Sequence, residues 1–142
     1  MNKNEGDKSC FRLLATNALG WCVFEAPNGQ LQLDFGALAL MMAHDNFDQF
    51  TMLLHDALVA MVRSAGQAVV LARQSAMRQV LLIHEHATIA VYFDSVLLRL
   101  GEGAFNLLFD LCAEALGTMS ASADTSTSAA LVSWWAHGWS RN

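Results

Sequence analysis

From Leu31 the chain alternates apolar and polar residues, Leu31, Leu33 and Phe35 against Gln32 and Asp34, the two-residue period of a strand with one buried and one wet face. Gly36 and Ala37 permit a tight reversal, and Leu38 to Met42 reads as the next strand. The period then changes. Phe47, Phe50, Leu54, Ala57, Leu58 and Met61 fall at helical spacing, which predicts one apolar stripe along a helix of about four turns. Asp45 stands where a helix N-cap belongs, with Asp48 three residues on to favour the first turn. Upstream, CFRLLAT (residues 10–16) and WCVFE (residues 21–25) are apolar and aromatic runs separated by turn formers, the pattern of a hairpin. Ala26-Pro27-Asn28-Gly29 then supplies the strongest turn signal in the chain. The predicted unit is strand, strand, strand, strand, helix.

That unit occurs twice. A displacement of 58 residues lays residues 31–61 on 89–119 without a gap, Phe35 on Phe93, Leu40 on Leu98, Phe47 on Phe105, Leu53 on Leu111, and Ala57, Leu58 and Met61 on Ala115, Leu116 and Met119. Carried backwards, the same displacement sets Cys10 on Ala68, Phe11 on Val69 and Leu13 on Leu71, and residues 10–61 match 68–119 with nine identities. The link, residues 62–67, is short, and its Gly66 suits a helix C-terminus. The copies differ in two places. His84, Glu85, His86, Ala87 and Thr88 replace the Pro-Asn-Gly turn, and the third strand, IAVYF, is apolar on both faces, so it should be the more buried of the pair.

A single repeat of this length is marginal as an independent core. Two in one chain bury what each would expose, as a homodimer does with a self-complementary patch. The expected fold is α+β, an internally duplicated ββββα repeat forming a pseudo-twofold antiparallel-sheet domain with two helices. The expected organisation is a flexible N-terminus at 1–9, repeat 1 at 10–61, repeat 2 at 68–119, a Ser/Thr/Ala linker at 120–130 and a Trp-rich tail at 131–142.

Composition narrows the function classes. Apolar runs are broken by Asp34, His44, Arg63 and Arg73 before reaching the length of a membrane span, and the polar start lacks the features of a signal peptide, so a cytoplasmic protein without a membrane span is expected. Cys10, Cys22 and Cys112 show no metal-ligand spacing and read as reduced thiols, with Cys112 inside the second helix's apolar stripe. A net charge of −5 with only eight Lys and Arg disfavours nucleic acid.

Candidate chemistry is sparse. His84 and His86 are the metal-ligand candidates, because in an extended segment residues two apart point to one face, but no third ligand is set by spacing and turn residues are the plainer reading. Asp45, Asp48, Asp56, Asp110 and Glu114 are accounted for by helix starts and wet helix faces. No Gly-rich phosphate loop, nucleophile elbow or H-E-x-x-H occurs. The expectation is a protein that is not an enzyme and takes no cofactor, with no catalytic residue named. Met41 and Met42 are adjacent in a strand, so one of them must lie outside the main core. Beyond the linker, Trp134, Trp135 and Trp139 are large amphipathic anchors and the candidate partner-binding residues.

The order ββββα, duplicated, with L-x-L-x-F at Leu31 to Phe35, an L-x-L strand from Leu38 and F-x-x-F at Phe47 to Phe50, resembles the PUR repeat of Pur-alpha-type single-strand nucleic-acid-binding proteins. The L-x-L-x-F-G pattern is similar also to that of small uncharacterised bacterial domains. The resemblance to PUR repeats implies nucleic-acid binding through basic and aromatic residues on the sheet, where the corresponding strands here offer Glu25, Gln32, Asp34 and Glu85, with Arg12, Arg73, Arg78 and Arg99 scattered. The leading expectation is therefore a non-catalytic protein–protein interaction or scaffold module, acting on a protein partner or by self-association as a dimer. Single-stranded nucleic-acid binding is the alternative, and a small-ligand or metal-binding protein the third.

Overall fold

The computed structural model describes residues 10–64 and 67–122. Its element order is β1 (Arg12–Thr16), β2 (Cys22–Glu25), β3 (Leu31–Phe35), β4 (Leu38–Met42), α1 (His44–Ser64), β5 (Val70–Ser75), β6 (Arg78–Ile83), β7 (Thr88–Phe93), β8 (Val96–Gly101) and α2 (Glu102–Ser122). The strands form two antiparallel meanders of four, β1-β2-β3-β4 and β5-β6-β7-β8. The fold is α+β with a duplicated ββββα repeat. Both helices have 21 residues, and His44 and Ser64 fall on Glu102 and Ser122 at the displacement read from the sequence. α2 therefore continues to Ser122, three residues into the segment expected to be linker, and α1 begins at His44, so that Asp45 lies inside the first turn rather than at the cap.

The helices repeat in burial as well as in length. Phe47, Phe50, Thr51, Leu53, Leu54 and Ala57 of α1 are buried, and so are their counterparts Phe105, Leu108, Phe109, Leu111, Cys112 and Ala115 of α2. At about 100° per residue these positions cover an arc of roughly 160°, broader than a coiled-coil seam and suited to packing on a sheet. Thr51, the buried polar member, donates its hydroxyl to the Phe47 carbonyl oxygen at 2.9 Å and so leaves no unpaired group in the core.

In the strands the displacement is not uniform. Val23 pairs with Leu33 and Val80 with Val91, while Ala15 pairs with Val23 and Ala72 with Val80. The first two strands therefore correspond at 57 residues, matching Leu14 to Leu71, Ala15 to Ala72 and Val23 to Val80, three identities that the ungapped alignment misses. The extra residue lies in the link between the second and third strands: residues 26–30 separate the Glu25–Leu31 pair, and residues 83–88 the Leu82–Ile89 pair. Left-handed backbone recurs at matching positions after it, Gly29 (φ 88°) with Ala87 (φ 50°), and Gly36 (φ 65°) with Asp94 (φ 57°). The second copy thus holds two non-glycine residues where the first uses glycine, at a steric cost that the first avoids.

The chain divides into two compact units. One contains β1 to β4 and α2 from Leu111 onward; the other contains α1 from Asp45, β5 to β8 and α2 as far as Asp110. Each sheet is thus grouped with helical residues of the other repeat. In the second unit the Phe50 ring of α1 stands edge-on to Phe93 of β7, with centroids 5.1 Å apart, and both side chains are buried. The more apolar third strand is the more buried, as its sequence implies: Ala90 is fully buried, whereas Gln32 is half-buried.

Candidate interaction surface

Trp134, Trp135 and Trp139 lie outside the described residues. His84 and His86 stand on a single 3₁₀ turn, His84–His86, and both are exposed. The extended geometry that would aim both rings to one face is absent, because about three residues per turn places positions two apart on diverging sides. No group of three or more His, Cys, Asp or Glu side chains suited to a metal ion occurs among the described residues. Cys112 is buried, Cys22 half-buried and Cys10 exposed. Among the described residues no helix is long and apolar enough to cross a membrane.

A dense polar cluster joins α1 to the second sheet. Arg78 of β6 donates from Nε and Nη2 to the two carboxylate oxygens of Asp94 at 2.8 and 2.9 Å, from Nη2 to Asn46 Oδ1 at 3.2 Å, and from Nη1 to Gln49 Oε1. Its guanidinium carbon lies 4.3 Å from the centroid of the Phe93 ring. Gln74 of β5 adds a bond from Nε2 to the Gln49 carbonyl oxygen at 2.7 Å. The hydrogen bond from Arg78 holds the Asp94 carboxyl below the ordinary carboxylate range, and Asp94 in turn raises the Arg78 guanidinium. The corresponding place in the first copy is taken by Trp21, stacked edge-on against Phe35 at 5.5 Å. A flat group over the third-strand Phe is the shared device. With four of its five N–H groups engaged, Arg78 is a fastener, not a free ligand for an anion.

Strand register sorts the remaining side chains by face. In the first sheet Val23, Leu31, Leu33 and Phe35 point to the core; the opposite face carries the row Leu13, Phe24, Gln32, Met41 across all four strands, then Thr16, Cys22, Asp34, Ala39. Phe11 lies edge-on to Phe24 beside the apolar row. In the second sheet the outer face carries Arg73, Gln79, Tyr92, Leu97 in one row and Val70, Leu81, Ala90, Arg99 in the next. Arg73 and Arg99, scattered in sequence, therefore share a face with Tyr92, Arg73 two strands away in the same row and Arg99 on the adjacent strand in the next. Arg12 and Arg78 are committed to Glu25 and Asp94.

The sheet edges differ from one another. β1, β5 and β8 each contain an arginine, Arg12, Arg73 and Arg99, whereas β4, LALMM, contains no charged residue and no proline. Charged side chains on an edge strand discourage pairing with another chain; an uncharged apolar edge invites it. β4 is also the one described strand with no buried residue. Its core-side Leu38 is 40% exposed and its outward Met41 is 48% exposed, while Leu98 of β8, which corresponds to Leu40, is 5% exposed. Of the adjacent methionines, Met41 is therefore the one outside the core. Sequence reasoning identified the strand but not its edge position, which depends on the pairing order; the available signal was the missing arginine.

No protein-family model matches the chain, no curated protein matches it, and no solved structure matches it.

Proposed function

We propose that the chain is a non-catalytic protein-interaction module that accepts a partner strand along β4. A single observation carries the reading: β4 is the one edge among the described strands that lacks a charged residue, and it is exposed on both faces. Main-chain hydrogen bonds to an open edge supply affinity, and alternate side chains supply register. A photo-activatable residue at Met41, compared with one at the exposed Leu97 of β8, tests it in the full chain. The module forms polypeptide adducts at position 41 and few at 97; absence of adducts at both, or equal yields, removes β4 as the docking edge. The role expected for Trp134, Trp135 and Trp139 is measured separately, by deleting 131–142 and reading the same adducts.

A second reading, single-stranded nucleic-acid binding in the manner of PUR repeats, is favoured by one feature, the Arg73, Tyr92 and Arg99 surface of the second sheet. Two arginines and an aromatic residue on one sheet face are the elements of a stacking platform with phosphate contacts. Titration with labelled single strands separates the readings. Binding at low salt that weakens as salt rises, and that is lost in Arg73→Gln with Arg99→Gln, supports it; no binding at low salt eliminates it, since the electrostatic part is then strongest.

A further inference from the structure

The open strand is complementary to itself. We propose that β4 seats a second copy of this chain, antiparallel, with Leu40 opposite Leu40 on the dyad, so that two first sheets join into one continuous sheet. This rests on the docking role given to β4 above and names the partner. In that register Ala39 faces Met41 of the other copy, twice, on the outer side, where each small residue leaves room for a long one. On the core side Leu40 meets Leu40, flanked by two Leu38–Met42 pairs. Pairing by a twofold axis closes after two copies and leaves no further open β4 edge.

Two features of the surroundings favour a second copy over a foreign strand. The core beneath β4 is unfinished, since Leu38 is exposed and Leu40 half-buried where their counterparts Val96 and Leu98 of the other sheet are half-buried and buried, and a second copy brings the same unfinished core to the same line. Then β4 offers no charge or hydrogen-bonding side chain by which to select a foreign sequence, whereas its own small-against-large order fixes a register. The net charge of −5 does not stand in the way. The nearest acid in the sheet is Asp34, opposite Ala39 on β3, and is hydrogen-bonded by Gln32 at 2.8 Å. In the joined sheet the two Asp34 side chains are three strand spacings apart, on the order of 14 Å, beyond a Debye length of about 8 Å in physiological salt.

The test is the mass of the full chain in solution, by light scattering or sedimentation, over a wide concentration series. The average mass rises towards twice that of one chain as concentration increases. Ala39→Lys and Met41→Lys, both at exposed outward positions, hold it at one chain throughout, while Leu97→Lys on β8 behaves as the unsubstituted protein. A mass that stays at one chain at every concentration overturns self-docking, as does association that the β4 substitutions leave unchanged. In the first case a labelled peptide of residues 36–44, GALALMMAH, distinguishes the two readings: binding that Met41→Lys abolishes keeps β4 as an edge for a foreign strand, and no binding removes both. Should a β4 variant misfold by circular dichroism, the concentration series of the unsubstituted chain decides.

Discussion

Replacing Arg78 by methionine tests whether the first repeat's helix is fastened to the second repeat's sheet. The substitution keeps an unbranched apolar stem against Phe93 but removes the guanidinium. Two side-chain hydrogen bonds, to Asn46 and Gln49, are lost, at about 1 kcal/mol each. The cation–π contact with Phe93 contributes about 0.5–1 kcal/mol. The ion pair is discounted, because the Asp94 side chain is 49% exposed and screened by solvent, and adds about 0.5–1 kcal/mol. The sum is about 3–4 kcal/mol, a fall of about 1.5–2 M in urea midpoint for a domain of this size. Arg12→Met, which breaks the pair of a more exposed arginine with Glu25, costs about 1 kcal/mol or less. Asp94→Asn keeps a side chain that tolerates left-handed backbone and removes only the charge, giving an intermediate loss. The sign of the pH effect follows from the depressed Asp94 carboxyl: its contribution is complete above its unfolded pKa of about 3.9 and disappears as pH falls through the lower folded value, so the Arg78→Met penalty shrinks only in acid. Urea unfolding of the three variants at neutral pH, monitored by circular dichroism, is the assay. An Arg78→Met loss no larger than that of Arg12→Met refutes the fastening.

Further substitutions separate backbone, charge and burial effects. Gly36→Ala meets no steric obstacle but forces alanine to φ 65°, and lowers stability by about 1–2 kcal/mol in thermal or urea unfolding. Gly117→Ala, in the interior of α2 with open space at its Cβ, raises stability by about 0.5–1 kcal/mol in the same assay. Partial withdrawal from water pushes the Asp110 carboxyl up, so its charged form opposes folding at neutral pH; Asp110→Asn raises the melting temperature there and loses that advantage as pH falls below the folded pKa. Cys112 reacts with a thiol reagent only as fast as the chain unfolds, whereas Cys10 reacts at once, which timed mass spectrometry records.

The parts of the fold set by local pattern were legible in the sequence. Alternation at Leu31, Leu33 and Phe35 and the stripe from Phe47 gave strand and helix, and the displacement of the pattern gave the duplication, because burial imposes the same apolar positions on both copies. Two things escaped. The extra residue between Leu82 and Ile89 was hidden because apolar residues on adjacent strand positions match almost as well one place out. The grouping of α1 with the second sheet was hidden because a helical apolar stripe, Phe50 on Phe93 included, does not say which sheet it covers, and Asn46, Gln49, Gln74 and Arg78, which also join the two, read in sequence as solvated. The surface was less legible than the core. That Arg73 and Arg99 share a face with Tyr92, and that β4 is an edge, follow from pairing order, which no periodicity within one strand encodes.

Amide hydrogen exchange of the full chain tests most directly the pairing proposed for β4 with a second copy. As protein concentration rises, exchange at Leu38–Met42 slows, and Met41→Lys cancels the slowing, while Val96–Gly101 of β8 exchanges at a constant rate. Exchange in β4 that is independent of concentration, or slowing that appears instead in β8, contradicts self-pairing through β4.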